Sequence, residues 1–92
     1  MKFEWDENKA AANEAKHGVS FDEAQEVFSD PRGVEEYDAE HSFDEPRFSR
    51  LGWSSRRLLF VVFVERRSDV YRVISARQAD TREERIYADA NR

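Results

Sequence analysis

The sequence predicts an α+β domain with two N-terminal helices, an antiparallel sheet of three to four strands and one C-terminal helix. Three observations carry that expectation. Capped helical patterns fill the chain up to Ser29. Two apolar, strand-forming runs, Leu58–Val64 and Val70–Ala76, follow on either side of a charged turn. A capping signature at Asp80–Glu84 then opens a last helix. With 92 residues the chain can build one modest core, so residues 1–92 are expected to form a single domain.

Phe3-Glu4-Trp5 reads as a short strand or anchoring segment, with two aromatics bracketing a carboxylate. Asp6 can cap a helix running to about His17, and Gly18 supplies its left-handed exit. The alanine-rich stretch Asn8–Ala15 is a good helix former whose small side chains admit close packing. Ser20 and Glu23 fit a capping box for a second helix, with Val19 as a staple against Ala24. Phe21, Ala24, Val27 and Phe28 recur at helical spacing and form its buried face, and Asp30-Pro31-Arg32-Gly33 ends it. Val34–Tyr37 is a candidate first sheet strand, and the polar, acidic stretch Asp38–Pro46 a loop. Arg47–Trp53 reads as a strand whose alternation slips, since Phe48 falls on one face and Leu51 and Trp53 on the other. A bulge near Arg50 or Gly52 would reunite them. Ser54–Arg57 turns the chain, Leu58–Val64 is apolar on both faces as a central strand should be, and Glu65–Asp69 is a hairpin loop before the last strand. Asp80 or Thr81 caps the final helix, with Thr81 and Glu84 as a capping box.

Composition narrows the function classes. The chain is 39% hydrophobic and 13% aromatic, which places it among folded rather than disordered proteins despite 38% charged residues. It has no cysteine, which excludes disulfides, zinc–thiolate sites and thiol nucleophiles. No apolar run approaches the roughly 20 residues that a membrane helix needs. The start, Met-Lys-Phe-Glu-Trp-Asp, has no apolar signal region, so a cytoplasmic location is the default expectation. The net charge of −5 conceals segregation. Residues 1–46 carry four basic residues against fourteen carboxylates, a balance of −10, whereas residues 47–92 carry eleven arginines and no lysine against six carboxylates, a balance of +5. Arginine grips phosphate or carboxylate through a planar fork, so this half is either a basic working surface or the internal partner of the acidic half.

Few reactive constellations fit. Three scattered glycines make no phosphate-binding loop, and His17 and His41 lack spaced metal-ligand partners, so no metal or cofactor is expected. There is no nucleophile elbow beside a histidine. What is left is a cluster of arginines with a histidine, a serine and a tyrosine. Such a set can cleave RNA without metal: a group such as His or Glu moves the proton of the ribose 2′-OH, and arginines stabilise charge building on phosphorus. Arg72, Arg77, Arg82 and Arg85 are the electrostatic candidates, and Arg47, Arg56 and Arg57 can join the same face. His41, in the loop before the basic half, is either the proton-transfer group or an exposed loop histidine. Arg72 lies within an apolar strand and needs a partner, which is a phosphate or a carboxylate such as Glu83 or Glu84. Tyr87 bonds a phosphate, stacks on a base, or seals the last helix onto the sheet. Trp53 has the same two options, base or core.

The opening Phe3-Glu4-Trp5-Asp6 with Lys9 and Asn13, then Lys16-His17-Gly18-Val19-Ser20-Phe21, Ala24, Val27, Phe28 and Asp30-Pro31, carry a family pattern. His41-Ser42, Glu45, Arg47, Phe48 and Gly52-Trp53-Ser54 continue it, and Arg72–Arg77 with Glu84-Arg85 and Tyr87 close it. In these blocks the chain resembles the BrnT-type toxins of bacterial type II toxin–antitoxin modules. The resemblance implies a RelE-like fold and a metal-independent ribonuclease that blocks translation. It also implies a BrnA-type antitoxin, a heterotetramer of two toxins and two antitoxins, and operator DNA bound only through the antitoxin. Carried onto this chain it implies a site drawn from His41, Glu45, Arg47, Arg72, Ser75, Arg77, Glu84, Arg85 and Tyr87, with Arg72 and Arg77 on phosphate, His41 in proton transfer and Glu45 acting directly or orienting Arg47. Two other readings stay open: a non-catalytic module whose arginines dock an acidic protein, and an RNA-binding domain without cleavage.

Overall fold

Strand-forming runs at residues 2–4 and between residues 34 and 78 build a five-stranded sheet, described by a computed structural model covering residues 1–92. The strands are β1 (Lys2–Glu4), β2 (Val34–Tyr37), β3 (Arg47–Trp53), β4 (Leu58–Arg67) and β5 (Val70–Gln78), in the spatial order β1-β5-β4-β3-β2. The helices are α1 (Glu7–His17), α2 (Phe21–Ala24), which tightens into a 3₁₀ segment over Gln25–Ser29, and α3 (Thr81–Ala90). The architecture is α+β, but the sheet is mixed: β1 pairs in parallel with β5, Phe3 opposite Tyr71 and Glu4 opposite Arg72. No turn signal joins segments so far apart in sequence.

The sheet is apolar on both faces, and that resolves the uneven pattern of β3. There is no bulge at Arg50 or Gly52; β3 pairs with β4 without interruption from Arg47–Val64 to Trp53–Leu58. Phe48 and Leu51 lie on opposite faces, and each is packed. On one face α1, α2 and the 3₁₀ segment bury Val19, Phe21, Ala24 and Val27 against Leu59, Val61, Val73 and Ala76. Gly52 is needed here, since a Cβ would fall 2.9 Å from both Cβ and the carbonyl oxygen of Val27. An aromatic seam extends this layer: Phe28 contacts Phe3, Phe63 and Tyr71, and Phe48 stacks on Phe63 at 5.6 Å. On the other face α3 covers only one end, where Leu51, Leu58 and Ala79 pack with Phe60 and Ile86. The remainder of that face has no helix over it.

Local signals behave with small shifts. Asp6 caps α1 and Gly18, at φ 70°, ends it. Ser20 accepts from Glu23 N–H, but the Glu23 side chain turns to Arg57 and Ser54 instead of completing a box. The complete capping box is Asp80 with Glu83, one residue ahead of the Thr81–Glu84 pair expected from sequence. The anticipated five-residue hairpin loop shrinks to Ser68-Asp69, because β4 extends through Arg67. A bulge falls in β5, where Val62 pairs with Ser75 and Phe63 with Val73, so that Ile74 is the extra residue.

Candidate functional site

The open half of the sheet is a groove of about 420 Å³. Its floor is made by residues that strand alternation sends to the helix-poor face: Ser49 of β3, Phe60 and Val62 of β4, and Ser75 of β5. The bulge brings Ile74 beside Ser75 on the same floor. One wall is β2 with Glu36 and Tyr37, and the rim is the loop that carries Asp38 and His41. A second section, about 230 Å³, continues from Glu36, Ser49 and Phe60 to Arg82 and Ile86 on α3.

The loop is held in shape by its own polar groups. Asp38 N–H donates to Arg47 O at 2.7 Å, Ser42 Oγ–H donates to Asp38 O at 2.6 Å, and Arg47 N–H donates to Ser42 Oγ at 2.8 Å. This lashing puts His41 over the start of β3. Asp38 accepts from the His41 backbone N–H, and its Oδ2 sits 2.9 Å from His41 Nδ1. The carboxylate therefore fixes the tautomer with the proton on Nδ1 and leaves Nε2 free for chemistry. Beside it, Arg47 has no carboxylate partner, and its Nε is a buried donor with no acceptor. Leaving such a donor unmade costs on the order of 1–3 kcal/mol.

Most other arginines are already occupied. Seven of the twelve sit in ion pairs: Arg50, Arg56, Arg57, Arg66, Arg72, Arg77 and Arg92. Of the other five, Arg47 alone is not exposed. Arg77 makes a bidentate pair with Glu83 at 2.7 and 2.8 Å and lies 4.5 Å over the Phe60 ring. The hydrogen bonds from that pair outweigh burial and push the Arg77 guanidinium up. Arg72 meets Glu4 of β1 at 3.2 Å, neither Glu83 nor Glu84. Arg57 grips Glu23 through two bonds on the far side of the domain, and Arg56 lies 3.7 Å from the same carboxylate. Its hydrogen bond from Arg57, ahead of burial, holds Glu23 below the usual carboxylate range.

The sequence-predicted site residues thus separate. His41, Arg47 and Ser75 share the groove, Arg82 stands at its extension, and Arg77 lies over the ring of the floor residue Phe60 without lining either section. Glu45 shares a small neighbouring hollow with His41 and Arg47, yet its carboxylate pairs with Arg66 at 3.1 Å and not with Arg47. Arg56, Arg57, Arg72, Arg85 and Tyr87 line neither section. Tyr87 O–H donates to Asp30 Oδ2 at 2.7 Å, closing α3 onto the end of the 3₁₀ segment. Burial and that bond push its phenol up to about 12. Asp38, Glu36 and Ser49 are groove residues that sequence reasoning missed. The Asp-x-x-His spacing at 38–41 signals the first, and strict alternation across β2 and β3 the other two.

No group of three His, Asp or Glu residues is placed to hold a metal ion. No helix is long and apolar enough to cross a membrane.

A family model described as the ribonuclease toxin BrnT of type II toxin–antitoxin systems matches residues 5–83. Among solved structures, the chain is similar to the Brucella abortus ribonuclease toxin BrnT, with a TM-score of 0.64 and 27% identity over 88% of this chain and 99% of that one. Among curated proteins none matches.

Proposed function

The chain belongs to the BrnT family of ribonuclease toxins of type II toxin–antitoxin systems, and from that premise we propose that it cleaves RNA in the open groove by metal-independent attack of the ribose 2′-OH on the adjacent phosphate. The observation that carries this reading is the juxtaposition of an oriented histidine with an unpaired arginine. Asp38 holds His41 by its Nδ1, while Arg47 offers its free donors to the non-bridging phosphate oxygens. Ser75 and Ser49 on the floor supply neutral donors. Phe43, 86% exposed in the same loop, offers a face on which a flanking base can stack.

The fold of this reading is RelE-like and its outcome is inhibition of translation in the cytoplasm. Its partner is a BrnA-type antitoxin in a complex of two toxins and two antitoxins, which reaches operator DNA only through the antitoxin. Arg82 and Arg85 on the exposed side of α3 are available to RNA or to that partner. The extensive internal pairing of the arginines disfavours a broad cationic docking face, and with it the two non-catalytic readings.

The test uses purified protein freed of antitoxin and an RNA substrate in EDTA. Cleavage should leave 2′,3′-cyclic phosphate or 3′-phosphate ends. Both His41→Ala and Arg47→Ala should lower the rate at least about a hundredfold with circular dichroism unchanged. RNA left intact by the unaltered protein would sink the reading.

A further inference from the structure

We propose that Glu36 is the second proton-transfer group of the groove, the base that accepts the proton of the attacking 2′-OH while His41 protonates the leaving 5′-oxygen. The inference rests on the ribonuclease reading above and assigns a role within it.

The chemistry requires two groups. As the 2′-oxygen forms its bond to phosphorus its proton must leave, and as the P–O5′ bond breaks the departing alkoxide must gain one. His41 cannot perform both in a single step. Its Nδ1 is bound to the Asp38 carboxylate at 2.9 Å, so Nε2 is the ring nitrogen left to donate. The acceptor has to be found elsewhere in the groove.

Glu36 fits by position and by its freedom. It lies in the middle of β2 opposite Ser49, so it shares the face of Ser49 and Val62, and it lines both sections of the groove. Its neighbour Glu35 points to the other face and is taken by Arg50 at 2.8 Å. Three carboxylates line the groove: Glu36, Asp38 and Glu83. Asp38 uses both oxygens on His41. Glu83 is engaged by Arg77 and by the Asp80 N–H. Glu36 alone has no hydrogen bond or ion pair within the chain. The charged and titratable groups that line the groove with it are Arg47 from β3, Asp38 and His41 from the loop, and Arg82 with Glu83 from α3; the Tyr37 ring lies on the other face against Phe48. Arg47 lines the same groove section as Glu36 and His41, with its donors unpaired.

The experiment compares pH–rate profiles of the unaltered protein, Glu36→Gln and His41→Ala in EDTA. The side chain of Glu36 is exposed on an edge strand, so Glu36→Gln should melt as the parent does. Its rate should fall about 10²- to 10⁴-fold and its profile should lose the acid limb, whereas His41→Ala should lose the alkaline limb. A substrate with a bridging 5′-sulfur separates the roles, because a thiolate leaves without a proton. It should restore His41→Ala substantially and leave Glu36→Gln slow. Glu36→Gln cleaving at the parent rate with its acid limb intact, or rescued by the 5′-sulfur, overturns the assignment while the ribonuclease reading stands. An unaltered protein that leaves RNA intact overturns both.

Discussion

Arg77 and Arg47 lie on the same face of the sheet and are in opposite electrostatic states. Arg77 is fixed by Glu83, whose side chain is only 9% exposed and which also accepts from Asp80 N–H at the start of α3. Arg47 is fixed by nothing charged. Sequence alone ranked Arg77 among the phosphate ligands, because a strand arginine before a helix start is indistinguishable from one paired across the turn until the register is known. Replacing Arg77 by Ala should therefore destabilise the fold, since it strands a buried carboxylate. Because Arg77 itself is about one-third exposed, the loss should be on the order of 1–3 kcal/mol, below the 3–5 of a fully buried pair. A urea midpoint that does not move would show that Glu83 finds water instead. Arg72 carries a related lesson: a partner was foreseeable, but Glu4 was not, because it arrives on a strand 68 residues away in sequence.

At the scale of elements, helices were legible because their signals are local. Asp6, Gly18 and Ser20 act within one turn of the residues they cap, and the Asp80–Glu83 box was displaced by a single position. Sheet pairing was less legible, because it depends on what covers each face. The pattern of β3 looked faulty only on the assumption of one buried face; with helices on both, Phe48 and Leu51 are each core-facing. The groove inherits the same lesson, since Glu36 and Ser49 become visible once β2 and β3 are in register. One polar residue joins the two kinds of element. Asn13 of α1 donates through Nδ2 to Val19 O and Ala76 O and accepts from Ala76 N–H, so its amide serves β5 where no strand does. Asn13→Ala should leave those backbone groups buried and unpaired, at about 1–3 kcal/mol. For a domain of this size each kcal/mol lowers Tm by roughly 4–8 °C, so a thermal melt decides it. Asn13→Asp should be worse still, as it keeps the acceptor and loses the donor.

For the molecule as a whole, charge segregation turned out to be largely a stabilising device. The acidic half supplies Glu4, Glu23, Glu35 and Glu45 to arginines of the basic half, and of the unpaired arginines Arg47 and Arg82 line the groove. Stability should follow pH accordingly. Glu23 is held low by Arg57 despite burial. Burial of Asp30 works upward, but the bonds from Trp53 N–H, Tyr87 O–H and Arg32 N–H outweigh it, so Asp30 is also lowered. Both contributions are complete above the ordinary carboxylate range and are lost as pH falls through the depressed values. Tyr87 works in the other direction. Its contribution is complete below 10 and is lost as pH rises through about 12. Urea titrations across pH should show a plateau with two falling shoulders. Tyr87→Phe should shrink the alkaline one, leaving the share of Tyr71, which burial also pushes up, and should weaken the acid one by removing a bond from Asp30; an alkaline shoulder that does not shrink would assign it elsewhere. The parallel pairing of β1 with β5 has a further consequence, in time. Residues 2–4 cannot dock until residues 70–72 exist, and Asn13 waits for Ala76. At roughly 5–20 residues per second of synthesis, the N-terminal helices wait several seconds beside a ribosome before their sheet is complete. A chain not yet grown past residue 75 has neither a docked β1 nor the Ser75 floor, so its groove cannot be complete before then.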